Sequence, residues 1–199
     1  MTLVATDTGT TFTPPPAGTH LAYCCQVIDL GTQHSKFYDK FRKRCLIGWE
    51  LPNEMGDDDT PLLVWREYTV SLGENATLRA HLQSWRGREF TEEELKGFHL
   101  KKILGVPCMI NITHRTNDGK TYGDVAAVMA LPKGQNLPPA YHKTLLFEIE
   151  NWDDEVFKTF GEKLQKKIMD SSEGKAKHGA PAASGAGAHT PLAEDDIPF

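Results

Sequence analysis

The chain of 199 residues lacks any apolar run approaching the ~18 residues that a membrane-spanning helix requires, and its first residues carry neither a basic start nor an apolar stretch. No secretory leader and no membrane partner are therefore expected, and the expected compartment is the cytoplasm. A C-x-x-C pair is also missing: the four cysteines are Cys24, Cys25, Cys45 and Cys108. Thiols such as Cys24 and Cys25, lying in an apolar run, act as small buried hydrophobes, so no zinc or redox site is expected. There is no phosphate-binding loop, no dinucleotide glycine pattern, no G-x-S-x-G and no H-E-x-x-H, which removes the usual motif-borne enzyme chemistries. Asp57-Asp58-Asp59 is the nearest approach to a Mg²⁺-dependent nuclease. It sits among Asn53, Gly56 and Pro61 without matched ligand spacing and reads as a solvated loop. The expectation is a protein that is not an enzyme and carries no cofactor or metal. Nor is there excess positive charge: 22 Lys and Arg face 27 Asp and Glu, a net of −5. Bulk charge thus excludes a general coat for nucleic acid or anionic lipid, and local charge has to decide.

What is present divides the chain. Residues 1–18 are rich in threonine and contain Pro14-Pro15-Pro16, and read as a flexible arm. Residues 19–170 hold the apolar pattern of one domain. Residues 171–193 are almost all Gly, Ala, Ser, Pro, Lys and His and read as a linker, followed by a terminal hexapeptide, residues 194–199.

Within the domain, strands are predicted over His20–Leu30, ending at a Gly31-Thr32 turn, over Lys36–Leu51 and over Leu62–Leu72. Two more, Pro107–His114 and Thr121–Leu131, flank Asn117-Asp118-Gly119, a strong hairpin signal, and Leu145–Ile149 adds a sixth. Ser71-x-x-Glu74 and Thr91-x-x-Glu94 match the capping box. Leu78, Leu82 and Trp85 follow the first box at helical spacing. A third helix is predicted from near Asn151, with Phe157, Phe160, Leu164 and Ile168 as its apolar stripe. Three strands, a helical insertion and a closing hairpin form the element order of an OB-fold. The expected class is mainly β with helices (α+β): a five-stranded OB-like barrel with a helical insertion between strands 3 and 4 and a C-terminal helix.

One segment carries chemistry. Lys36-Phe37-Tyr38-Asp39-Lys40-Phe41-Arg42-Lys43-Arg44 sets five positive charges against one negative and interleaves three aromatic rings. Unpaired nucleic acid asks for this combination, cations along the phosphates and aromatic faces under the bases. On a strand Lys40, Arg42 and Arg44 share a face, with Lys36 and Tyr38 beside them. The alternative is a solvated edge strand protected by its charges. A second cluster, Trp85-Arg86-Gly87-Arg88, reads either as a phosphate clamp or as a helix end with Trp85 packed inward. Trp49, Trp65, Tyr68 and Tyr122 are further stacking candidates or core residues.

The terminal Glu194-Asp195-Asp196-Ile197-Pro198-Phe199 combines three carboxylates with an apolar, ring-bearing end, a suitable ligand for a basic-rimmed apolar pocket. It resembles the end of bacterial single-stranded DNA-binding proteins, in which an OB-fold and a Gly/Pro-rich linker precede such a tip. The resemblance implies that Glu194 to Phe199 recruit replication or recombination proteins. Ala17-Gly18-Thr19-His20-Leu21-Ala22, Val27-Ile28-Asp29-Leu30-Gly31-Thr32-Gln33 and Ser84-Trp85-Arg86-Gly87-Arg88-Glu89-Phe90-Thr91 are similar to a family of bacteriophage single-stranded DNA-binding proteins. That likeness implies coating of unpaired DNA without sequence preference in the bacterial host cytoplasm, with self-association on DNA. The expected partner is thus single-stranded DNA. The rival readings are a phage adaptor or virion-associated protein-binding module, or a strand-annealing recombination mediator.

Overall fold

The computed structural model describes residues 14–35, 39–117 and 119–179. They form a mainly β structure: six strands in one open sheet, with short helices against both of its faces. In chain order come β1 (Gly18–Ser35), β2 (Lys40–Met55), β3 (Pro61–Thr69), α1 (Thr77–Arg86), α2 (Glu92–Lys96) and a 3-10 turn (Leu100–Ile103). β4 (Pro107–Asn117), β5 (Lys120–Met129), β6 (Leu145–Phe147), α3 (Asp154–Lys158), α4 (Glu162–Met169) and α5 (Ser172–Gly179) follow.

The strands lie in the order β3-β2-β1-β4-β5, all antiparallel, and β6 adds to β1 in parallel. β1 is the shared element. Its start pairs with β4 as far as Tyr23, and a bulge between Cys24 and Gln26 turns its later part toward β6. No ladder joins β3 to β5, yet the two touch, and the Arg66 guanidinium on β3 donates to the Val125 carbonyl on β5.

Partners across an antiparallel ladder share a face, so the register sorts the side chains. Cys45, Ile47, Trp49 and Leu51 of β2 face inward with Val64 and Tyr68 of β3. With α1, β4 and β5 they make the main core. The helical stripe Leu78, Leu82 and Trp85 is buried there as its spacing predicts. The outward face is covered over part of its area. Ile28, Leu30 and Leu46 meet Phe147, Ile149, Phe157, Phe160, Leu164 and Ile168 in a second cluster built by β6 and α3 to α5. Each buried aliphatic side chain here contributes roughly 1.5–3 kcal/mol against leaving it exposed. Farther along that face, the buried Glu50 carboxylate accepts from the backbone N–H groups of Tyr141 (2.9 Å) and His142 (2.7 Å). These bonds strap the loop before β6 onto the sheet.

Four expectations are corrected. Gly31 is not a turn. β1 runs on to Ser35 through a bulge, and Gly31 (φ +67°) is there because Ser171 packs on it: a Cβ would stand 2.4 Å from Ser171 Oγ. Ser71 does not cap α1, which starts at Thr77 after Ala76; the Ser71 hydroxyl accepts from Gly73 N at 3.2 Å in a local turn instead. The single C-terminal helix is three short ones, the first capped by Asp153, which accepts from Glu155 N (2.9 Å) and Val156 N (3.1 Å). The segment read as linker opens with α5 (Ser172–Gly179), which is tied down where Glu173 accepts from Thr32 N and Oγ1 at 2.6 and 2.7 Å. The second capping box, Thr91 with Glu94, forms fully. No helix among the described residues is long and apolar enough to cross a membrane.

All four cysteines are buried and unpaired. Burial raises every thiol, and those of Cys25 and Cys45 are pushed up to about 12. A water-soluble thiol reagent at about pH 8 is expected to label none of them in the folded protein and all four after denaturation. Rapid labelling of native protein would contradict the core described.

Candidate nucleic-acid interface

The β1–β2 hairpin sets the site. At its turn end Lys40, Arg42 and Arg44 stand opposite Ser35, Gln33 and Gly31, so the three cations share one face, as their alternation requires. Lys40 and Arg42 are exposed. Arg44 is half-buried, its Nε donating to Glu67 Oε1 (2.8 Å) and its Nη1 to Thr69 Oγ1 (3.2 Å). The opposite face of the hairpin carries Phe41, 67% exposed and stacked obliquely on His34 at 4.8 Å. It also carries Lys43, whose Nζ lies 3.4 Å from Asp29. Lys36 and Tyr38 lie outside the described residues.

Beside the arginines runs a groove of about 580 Å³, walled by Arg42, Arg44, Arg66 and Thr69 on the sheet side and by the Ser71–Leu78 turn on the other. Glu67 and Glu74 also line it. Arg66 was not singled out from the sequence. Its guanidinium lies 5.5 Å from the Tyr68 ring centroid and reaches across to β5, so it serves as both latch and groove wall. The signal was available in the two-residue spacing that puts Arg66 on the face of Tyr68 and Val64.

Along the same outward row as Arg42 and Arg44, β2 continues through Leu46 to Gly48, opposite Glu67 and Trp65 of β3. Trp65 is 42% exposed, and its indole N–H donates to Gln26 Oε1 at 2.9 Å. The ring lies across Gly48, where a Cβ would come within 2.7 Å of Cδ1 and Nε1. Glycine is thus required for the indole to lie against the sheet and present its other face to solvent. Of the remaining stacking candidates, Trp49 and Tyr68 are interior. The Tyr68 hydroxyl is 2.8 Å from His81 Nδ1, and burial raises the phenol and lowers the imidazole from their ordinary ranges. Tyr122 is 37% exposed on β5, with Arg115 5.7 Å from its ring.

The Trp85-Arg86-Gly87-Arg88 cluster does not join this face, and the phosphate-clamp reading is corrected. Trp85 is buried and donates to the Pro107 carbonyl at 3.0 Å. The Arg86 side chain is wholly buried, under the rings of Phe90 (4.6 Å) and Phe98 (5.2 Å), and is paired with Glu94. Arg88 is partly exposed and also holds Glu94, at 2.9 Å. A helix end with its tryptophan inward and its arginines on a buried carboxylate accounts for the motif. Burial alone would raise the Glu94 carboxyl, but the Thr91 N–H and the two guanidinium groups hold it down at about 2. Asp58 closes its own loop, accepting from Thr60 N (3.2 Å) and Oγ1 (2.7 Å). No group of three metal-ligating side chains is found among the described residues. Glu194, Asp195, Asp196, Ile197, Pro198 and Phe199 lie outside the described residues. No protein-family model matches the chain, and no curated protein shows significant similarity to it.

Glu94→Gln, which leaves the wholly buried Arg86 guanidinium without its counter-charge, is expected to destabilise the protein by about 3–5 kcal/mol near neutral pH in urea unfolding. The Glu94 carboxyl is depressed in the folded state. Its stabilisation is therefore present above the ordinary carboxylate range and lost as pH falls through about 2, where wild type and variant should converge. Equal stabilities near neutral pH would refute this role.

Proposed function

We propose that the chain is a single-stranded DNA-binding protein of the bacteriophage type, an OB-like barrel that holds unpaired strands without sequence preference. What supports the barrel is the strand order β3-β2-β1-β4-β5, with helices inserted between β3 and β4 and Arg66 drawing the two end strands together. In OB-folds the face of strands 2 and 3 receives oligonucleotides. The observation that carries the reading lies on that face here: Arg42 and Arg44 on β2 and Trp65 on β3 share the outward side, the arginines beside a groove that Arg66 also lines.

The chemistry of such a face is non-covalent. Same-face side chains along a strand recur every ~6.5–7 Å, so the cations meet successive backbone phosphates while Trp65 offers a flat face to a base. Lys40 and Arg42 act as mobile charges at the exposed end. Arg44, fixed by Glu67 and Thr69, holds register. Sequence tolerance follows, because neither a phosphate nor the face of a base carries a base-specific hydrogen-bonding edge. In this reading the acidic tip, Glu194 to Phe199, recruits replication or recombination proteins to the coated strand, the host cytoplasm is the setting, and copies associate along the DNA. No catalytic step, cofactor or metal enters.

Titration of the full-length protein with oligo-dT is expected to quench tryptophan fluorescence, and the quench should vanish in Trp65→Phe. Trp65→Ala should lose about 1–3 kcal/mol of affinity. Gly48→Ala should weaken binding in the same way by tipping the ring with every cation kept. Lys40→Ala with Arg42→Ala should weaken it further at low salt. Absence of binding by the wild type in low salt would overturn the reading.

A further inference from the structure

We infer that α4 extends the nucleic-acid surface beyond the sheet, with Lys163 and Lys166 as additional phosphate contacts. This inference rests on the single-stranded DNA reading. It starts from where α4 is held. Gln33, the cross-strand partner of Arg42, donates through its side-chain amide to the Lys167 carbonyl at 2.9 Å. Gly31, the partner of Arg44, is the seat of Ser171 at the end of α4. The Lys167 ammonium pairs with Glu67, the carboxylate that also holds Arg44. The end of α4 is therefore fastened directly beside the two arginines.

Helical geometry then places the other lysines. Leu164 and Ile168 point into the second core, so the side of α4 bearing Lys167 is the one turned toward β3. Lys163 stands one turn back along that side, and Lys166 follows at i+3 on the exposed surface. Both are exposed. Against them stand two carboxylates, Glu162 in the first turn and Asp170 at the C-cap. Glu67 neutralises only one of the two cations it binds, and the three lysines of α4 outnumber Glu162 and Asp170, so net positive charge extends from Lys40 and Arg42 through Arg44 and Lys167 to Lys163 and Lys166. A flexible polyanion lying in the arginine row continues onto this helix at no cost in charge reversal. The lysines thus do more than answer the helix dipole.

The test compares full-length wild type with Lys163→Gln/Lys166→Gln, leaving Lys167 in place, on oligo-dT of two lengths, one just long enough for the sheet and one several nucleotides longer. For the longer strand the plot of log affinity against log salt should become shallower by about 1.4, two contacts at roughly 0.7 each for a single strand. The Trp65 quench should be unchanged, as should affinity for the shorter strand. An unchanged salt slope on the longer strand, with wild-type binding intact, would overturn the α4 extension alone. Wild type that binds neither strand would overturn the parent reading and this one with it.

Discussion

The Glu67 carboxylate stands where β2, β3 and α4 meet, and it holds two cations that would otherwise repel each other, Arg44 from β2 and Lys167 from α4. Without it the like charges of Arg44 and Lys167 would oppose each other where α4 docks onto the outward face. With it, the apolar side of α4 reaches Ile28, Leu30 and Leu46, and the second core can form. The carboxylate neutralises one charge of the two, so the junction stays positive. One residue thus bears on both packing and surface potential.

The same compromise explains the division of the outward face into three stretches. Nearest the hairpin it is cationic and open. In the middle it is apolar and covered by α3 to α5. Toward the far end of β2 it is crossed by the loop that Glu50 pins through the N–H groups of Tyr141 and His142. Trp65 lies on β3 between the Glu67 junction and that strap, pressed on Gly48. Held flat on Gly48 and 42% exposed, the indole keeps one face open, as base stacking in the proposed complex requires.

Much of this was legible in the alternation of side chains. The five main strands, the Thr91 capping box, the α1 stripe and the sharing of a face by Lys40, Arg42 and Arg44 all follow from local periodicity and local hydrogen bonding. What failed depended on contacts between elements or on breaks that the apolar spacing does not mark. Gly31 carries the same one-letter signal whether it makes a turn or receives Ser171, and only the fold distinguishes the two. Trp85 and Arg86 look like ligand contacts until Glu94, Phe90 and Phe98 close over them. Trp65 could be told from Trp49 only once Gly48 and Gln26 were known to lie beneath it. The C-terminal helix broke in three because Gly161 and Ser171 interrupt a stripe whose apolar spacing is otherwise continuous.

The central claim is that an unpaired strand contacts the exposed parts of the outward face, the arginines of β2 and Trp65 of β3. Ultraviolet cross-linking of oligo-dT to the full-length protein, with the adducts located by peptide mass spectrometry, tests it most directly. The account predicts a principal adduct at Trp65 on the β3 peptide. Adducts confined to Tyr122 on β5 or Tyr141 in the strap, with none on β3, would contradict it.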